Sequence, residues 1–449
     1  MACLSSSRLC ARVQDKLMCQ FGQKVRRQTL FVKLKPPGPS PLRIFGKTCQ
    51  RVTTCGPACG TSGTTVTGAA RRLASSMQST STGSLPDYGT QMVDPYRLLE
   101  DDLNGIYEDI RSSNRESLRI TRPWIKELER NTNQPELNTI ATYYFDGQGK
   151  ALRPMVAILT AKAINYHVYG ENSALLPSQR QVAMISEMIH SASLIHDDVI
   201  DQSDFRRGKP SVNVLWNHKK VCIGIECLGN KTNCSIWVAM AGDFILAVAS
   251  MMIARLRSDE VTLVLSQVVT DLVQGEFMQL GSKETENERF AHYLTKTYRK
   301  TASLFANSVK AVALLSGADE ATCELAFQYG RNLGLSFQLV DDLLDFVSSS
   351  HGMGKPTAAD LRLGLATAPV LFACEKYPEL NPMIMRRFQD AGDVEKAFEL
   401  VHKSRGLEQT RFLARKHGLE AARLASELAD SPYQKALVVT TDLVLNRIK

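Results

Sequence analysis

Two short acidic strings hold most of the chemistry that residue type and spacing suggest. The first is Asp197-Asp198-Val199-Ile200-Asp201, trailed by Arg206-Arg207-Gly208-Lys209; the second is Asp341-Asp342-Leu343-Leu344-Asp345, 144 residues later. Each closes an apolar stretch with helical spacing, so the i, i+4 rule stacks Asp197 with Asp201 and Asp341 with Asp345. Carboxylates placed this way repel one another where the helix dipole is already negative, an unfavourable arrangement of about 0.3–1 kcal/mol per exposed charge. Hard cations bridging the oxygens relieve that repulsion. Magnesium binds through a few carboxylates plus substrate phosphates and keeps several waters, which suits two short aspartate sets, whereas zinc does not suit an all-oxygen donor set. A single string of this kind is commonly a solvated helix end. Two of them, one followed by paired arginines, point to metal-assisted work on a phosphorylated substrate.

The elements that must position these strings read as helix after helix from about Asp94 onward. Helical spacing recurs at 137–145, 151–168, 179–201, 239–257, 260–281, 289–317, 319–348, 366–375, 394–404 and 408–430, with almost no alternating β-branched runs. This predicts one large all-α domain over 95–449. No internal repeat of a solenoid type is visible, and no uncharged apolar run reaches about 18 residues. One stretch breaks the texture. Val221–Trp237 is apolar, contains Gly and Asn, and carries Cys222, Cys227 and Cys234 with His218 upstream. Zinc sites favour tighter paired spacing, so an insertion loop is the expectation.

Charge divides the chain. Overall there are 54 Lys and Arg against 46 Asp and Glu, a net charge of +8, yet residues 1–86 hold thirteen of the bases and a single acid, Asp15. The rest carries 41 bases against 45 acids, so the basic character belongs to an N-terminal extension and the folded body is expected to bind no nucleic acid. Rich in Arg, Ser, Thr and Gly, the extension reads as a disordered transit peptide, with the mitochondrial matrix ahead of the plastid as destination. An untargeted tail is the plainer alternative. Six of the eleven cysteines lie there and none forms a CxxC pair, which argues against a secreted disulfide scaffold.

Further motifs follow one another along the chain: Gly149-Lys150-Ala151-Leu152-Arg153-Pro154, His190 before the first string, Gly242-Asp243, Gly275-Glu276 with Gln279, Lys300-Thr301, Gln338 before the second string, and Gly354-Lys355. Taken singly they have bland readings: Lys150 and Arg153 as a solvated helix start, His190 as a core histidine, His196 as a neighbour of the cluster. In this order they resemble the trans-prenyltransferases, the class I isoprenyl diphosphate synthases, from roughly residue 95 to the C-terminus. The strings GEFMQLGSKETENERFAHYL and LGLATAPVLFACE are characteristic of the mitochondrial all-trans-polyprenyl (decaprenyl or solanesyl) branch, which makes the ubiquinone tail.

The resemblance implies an isoprenoid-synthase-type helical bundle around a deep central cavity, and an enzyme that joins isopentenyl diphosphate to an allylic diphosphate (farnesyl or geranylgeranyl). It implies Mg²⁺ on Asp197, Asp201 and Asp341, with Asp345, Lys300, Thr301 and Gln338 completing the catalytic set. Arg206, Lys300 and Lys355 would neutralise the departing diphosphate, and Lys150, Arg153, His190 and Arg207 would bind isopentenyl diphosphate. Asp198 and Asp342 would support their neighbours. Ala192 and Ser193, four and five residues before Asp197, are small where short-chain relatives place bulky floors, so a long product is expected. Two departures stand out: Gly364-Leu365 occupies the place of a second Gly-Lys string, and the 221–237 insertion is extra. The resemblance leaves open a heterotetramer with a second, non-identical synthase subunit or a homodimer, and peripheral contact with the inner membrane through so apolar a product. Rival readings are a terpene cyclase, opposed by the second DDLLD string; a catalytically impaired partner subunit, opposed by two intact strings; and a magnesium-binding structural protein, opposed by the Lys and Arg set.

Overall fold

Prolines and short polar side chains fix where several helices begin. Pro135, Pro177 and Pro432 stand in first turns, where the missing N–H has no intrahelical partner to lose. Ser431 Oγ accepts from the Gln434 N–H at 3.1 Å, and Asp319 Oδ1 accepts from the Thr322 N–H at 2.9 Å. The computed structural model describes residues 93–107, 123–145, 151–171, 174–206, 208–219, 232–281, 288–347 and 358–447.

Among the described residues the structure is nearly all helix. The first helices are α1 (Pro95–Leu98), α2 (Glu100–Tyr107), α3 (Pro123–Arg130), α4 (Pro135–Thr142), α5 (Leu152–Tyr169), α6 (Pro177–Ile200) and α7 (Val212–Lys219). Then come α8 (Thr232–Arg255), α9 (Asp259–Gly281), α10 (Arg289–Thr297), α11 (Ser303–Leu315) and α12 (Glu320–Val347). The C-terminal part holds α13 (Ala359–Arg362), α14 (Ala368–Lys376), α15 (Leu380–Met385), α16 (Asp393–Lys403), α17 (Gly406–Ala425) and α18 (Pro432–Leu445). A two-stranded antiparallel ribbon, β1 (Phe205–Arg206) with β2 (Lys209–Pro210), follows α6.

Periodicity located the long helices to within a few residues and failed in three places. The expected continuous helix over 289–317 is interrupted by a π-helical turn, Tyr298–Ala302. The expected loop over Val221–Trp237 divides: 221–231 lie outside the described residues, and from Thr232 the chain is already α8. The last expected helix, 408–430, ends at Ala425 and is followed by a separate α18.

Helix α11 packs against α5, α6, α9 and α12, with α8 along α6 and α17 along α12. In the main core Ile158, Leu159, Ile185, Met188, Ile189, Val312 and Leu333 are all fully buried. Each such side chain contributes about 1.5–3 kcal/mol relative to exposure. A second cluster, with Val370, Ala373, Leu380, Ala397 and Val401, holds the C-terminal helices against Phe346 of α12. Two glycines let the π turn sit close between its neighbours. A side chain on Gly334 of α12 would lie 2.6 Å from Ala302 Cα, and one on Gly275 of α9 would lie 3.2 Å from the Lys300 N. Within α8, Ile236–Arg255 is long and apolar enough to cross a membrane by length and composition. Val238, Ala241, Ile245, Val248, Ala249 and Met252 of that stretch are buried in the main core, whereas Ile236, Trp237, Met240 and Met251 are exposed.

Candidate active site

The last turn of α6 carries the first acidic string, and its middle residue is the one that is structural. Asp198 is fully buried; it accepts from the Tyr144 hydroxyl and, at 2.6 Å, from Arg206 Nε. Tyr144 in turn accepts from the Val212 N–H at 3.0 Å. The ribbon turn at Gly208, with φ near 76°, folds Arg206 back onto the helix end. This leaves Asp197 and Asp201 as the two acids that share surroundings. Burial raises both, Lys300 and Arg206 oppose the rise, and Glu276 adds to it; the Asp197 carboxyl reaches about 6.

The second string repeats the plan on α12. Its middle residue, Asp342, is buried and accepts from the Tyr293 hydroxyl at 2.5 Å and from Gln338 Nε2 at 3.0 Å. Asp341 is paired with Arg447 at 2.8 Å, and burial lifts its carboxyl to about 6 against the pull of Arg447 and Arg153. Both guanidiniums lie over the Phe337 ring, at 4.2 and 5.9 Å from its centre. The expected stack of Asp341 with Asp345 is split. Asp345 turns to the start of α13, where its oxygens accept from the N–H groups of Ala359 at 2.9 Å and Asp360 at 3.1 Å, so it serves as a cap.

The π turn joins the two strings through consecutive residues. Lys300 Nζ lies 2.7 Å from Glu276, 3.2 Å from Gln279 Oε1 and 3.8 Å from Asp197. Thr301, the next residue, donates to Gln338 Oε1 at 2.7 Å, and Gln338 holds Asp342. Burial alone would lower Lys300, but Asp197, Glu276 and Asp201 outweigh it and raise it. π turns are uncommon and recur at functional sites. Here the wider turn lets one side chain reach the α6 acids and its neighbour reach α12.

The other predicted residues fall as follows. His190 sits half-buried on α6, seven residues before Asp197. Arg153, on the first turn of α5, lies 5.0 Å from the Phe305 ring and acts on Asp341, which puts it on the side of the second string. Ala192 is fully buried; Ser193 is half-buried and donates to the His190 carbonyl at 2.8 Å. His196 turns to α8, with Nε2 at 3.1 Å from the Ala239 carbonyl and 3.2 Å from Asp243, in space that Gly242 leaves open. Lys150, Arg207 and Lys355 lie outside the described residues. Sequence reasoning missed Tyr144, Tyr293 and Arg447, whose partners are 54, 49 and 106 residues away.

Among the described residues no group of three His, Cys, Asp or Glu side chains converges tightly enough to enclose a metal ion by itself. The donor set, two oxygen-only clusters, fits a hard divalent cation whose coordination is completed by water and a bound anion.

Comparison with known proteins accords with this arrangement. Residues 134–401 match the polyprenyl synthetase family. The chain belongs to that family. It is 49% identical over 361 residues to the all trans-polyprenyl-diphosphate synthase PDSS1 of Homo sapiens, covering 80% of this chain and 79% of that one. It is 40% identical over 363 residues to a probable mitochondrial hexaprenyl pyrophosphate synthase of Neurospora crassa, covering 71% and 77%. Among solved structures, a polyprenyl synthase from Caulobacter crescentus complexed with calcium and isoprenyl diphosphate superposes with a TM-score of 0.65 at 28% identity, covering 81% of this chain and all of that one. The fold is therefore the all-helical one of the isoprenoid synthases.

Proposed function

We propose that the chain is a Mg²⁺-dependent all-trans-polyprenyl diphosphate synthase that adds isopentenyl units to an allylic primer, making the long isoprenoid tail of ubiquinone. The carrying observation is the π turn, which sets Lys300 against the Asp197 string and Thr301 against Gln338 of the Asp341 string. Asp197 and Asp201 on one side and Asp341 on the other would hold the metal with the allylic diphosphate, in keeping with the calcium and isoprenyl diphosphate named for the Caulobacter protein. Magnesium bound there supplies charge neutralisation for the leaving diphosphate.

The side chains do the rest. Lys300 and Arg206, with Lys355, add positive charge where the C–O bond of the allylic diphosphate breaks and pyrophosphate departs. Thr301 and the Gln338 carboxamide, locked between Thr301 and Asp342, orient oxygen toward the allylic carbocation. Lys150, Arg153, His190 and Arg207 bind the diphosphate of isopentenyl diphosphate without metal. Its double bond attacks the cation, a carbon–carbon bond forms, and a proton is lost to the released pyrophosphate. Each cycle lengthens the chain by five carbons. Asp345 supports this set from its place on the α13 cap.

The tail then extends along α6 past Ala192 and Ser193. The acid-poor extension supports import into mitochondria, as the name of the Neurospora relative states for that protein, with the matrix face of the inner membrane as the place where the product leaves. Exposed apolar rows on α8 (Ile236, Trp237, Met240, Met251) and α9 (Leu263, Val273, Phe277, Leu280) support a subunit interface, either with a second copy or with a non-identical synthase subunit. The direct test is incubation of purified chain with Mg²⁺, isopentenyl diphosphate and farnesyl or geranylgeranyl diphosphate. Long-chain product that EDTA abolishes is the expected result; a cyclised hydrocarbon, or no product from assembled protein, would overturn the proposal.

A further inference from the structure

A further cation lies beside the two strings and has no part in the reaction above. Lys296 closes α10 one turn before Lys300 and is half-buried. Its ammonium lies 5.9 Å from the centre of the Tyr293 ring, whose hydroxyl is bonded to Asp342. Burial lowers its proton affinity, Lys300 lowers it further, and Asp342, Asp360 and Glu276 pull the other way. Lys300 is ion-paired with Glu276 and, more loosely, with Asp197. Lys296 is in ion-pair contact with none of the described carboxylates; the acids that act on it are Asp342 of the second string, Asp360 and Glu276.

Two ammonium groups one turn apart in a half-buried setting repel each other, and the arrangement becomes favourable when both meet one polyanion. Lys300 leans to the first string and Lys296 to the second, so an anion between the strings meets both. The turn that Lys296 faces, through Asp360, runs on to Leu365, whose N–H is bonded to the Asp360 carbonyl at 2.9 Å. Leu365 is the position where the chain lacks a lysine that its resemblance leads one to expect.

We propose that Lys296 is a further diphosphate-binding lysine, contacting the diphosphate of the allylic substrate from the side of the Asp341 string. This rests on the proposed reaction, and the test separates the two. Inorganic pyrophosphate with Mg²⁺ is titrated calorimetrically into the full chain and into K296M and K296R. The K296M variant should bind about 10- to 100-fold more weakly, the worth of a charge-assisted contact, and K296R should stay within about fivefold of wild type. K296M should also raise the KM for the allylic diphosphate while leaving that for isopentenyl diphosphate nearly unchanged, and its Tm should be unchanged or higher because a half-buried charge is gone. A K296M affinity within about twofold of wild type overturns the proposal. So does a K296R as weak as K296M, which would mark a packing role. A wild-type chain that binds pyrophosphate but forms no prenyl product overturns the reaction and not the lysine.

Discussion

At the scale of single residues, the two acidic strings share a buried middle aspartate tied to a tyrosine and differ in their last acid, since Asp201 stays beside Asp197 whereas Asp345 caps α13. Asp197→Asn and Asp341→Asn should each lower kcat/KM by at least about 100-fold, since each removes a carboxylate from a metal–diphosphate centre. Asp345→Asn should act mainly on stability, by about 1 kcal/mol as the α13 cap weakens, with a smaller kinetic effect. Steady-state kinetics beside thermal melts separate these outcomes. The pH dependence follows from the Asp197 and Asp341 carboxyls, both near 6 in the folded chain against an ordinary 3.8. Their folded-state values are raised, so the protonated forms stabilise the fold fully below about pH 4 and that contribution is lost as pH rises through about 6. Both side chains are a quarter to a third exposed, so solvent weakens the effect. Metal competes with those protons. The Tm increase given by Mg²⁺ with pyrophosphate should be small at about pH 5 and reach its plateau by about pH 7.5, and a pH-independent increase would contradict this assignment. The acids were legible from sequence because their spacing is local. Tyr144, Tyr293 and Arg447 were not, because only the fold brings them to aspartates that lie dozens of residues away.

At the scale of elements, the long helices could be read from apolar period alone, and the π turn could not. Over 289–317 the side-chain pattern continues without a break, and the extra residue in the turn is tolerated because Gly275 and Gly334 let α9 and α12 approach it. Gly334→Ala drives a methyl to 2.6 Å from Ala302 Cα. It should destabilise the chain by about 1–3 kcal/mol and lower kcat by displacing Thr301; a neutral denaturation midpoint with normal turnover would count against the role given to the turn. On α6, Ala192 and Ser193 are distinguishable in the structure although they looked equivalent in sequence. Ala192 has no exposed surface, so Ala192→Phe should shorten the product and also lose about 1–3 kcal/mol of stability. Ser193→Phe, at a half-buried position, should shorten the product with little loss of stability. Product lengths by chromatography decide, and unchanged lengths in both variants would remove the tunnel from this helix.

At the scale of the molecule, the charge division was readable from composition and the helical class from periodicity, whereas the faces left for other subunits were not. Apolar period marks what is hidden from water without saying whether the same chain or another hides it. Leu263 and Phe277 of α9 are 72% and 73% exposed, unusual for side chains of that size in a helix of the main bundle. Leu263→Asp combined with Phe277→Asp should convert an oligomer to monomer in light scattering while leaving helicity unchanged; wild type that is monomeric at assay concentration would remove the interface. The central claim is that both acidic strings serve one metal–diphosphate centre. Crystals grown with Mn²⁺ and pyrophosphate test it most directly, through the anomalous signal of the metal. The account predicts manganese peaks bonded to pyrophosphate oxygens and in contact with carboxylates of both Asp197 and Asp341. Manganese confined to one string, or pyrophosphate bound away from both, would contradict it.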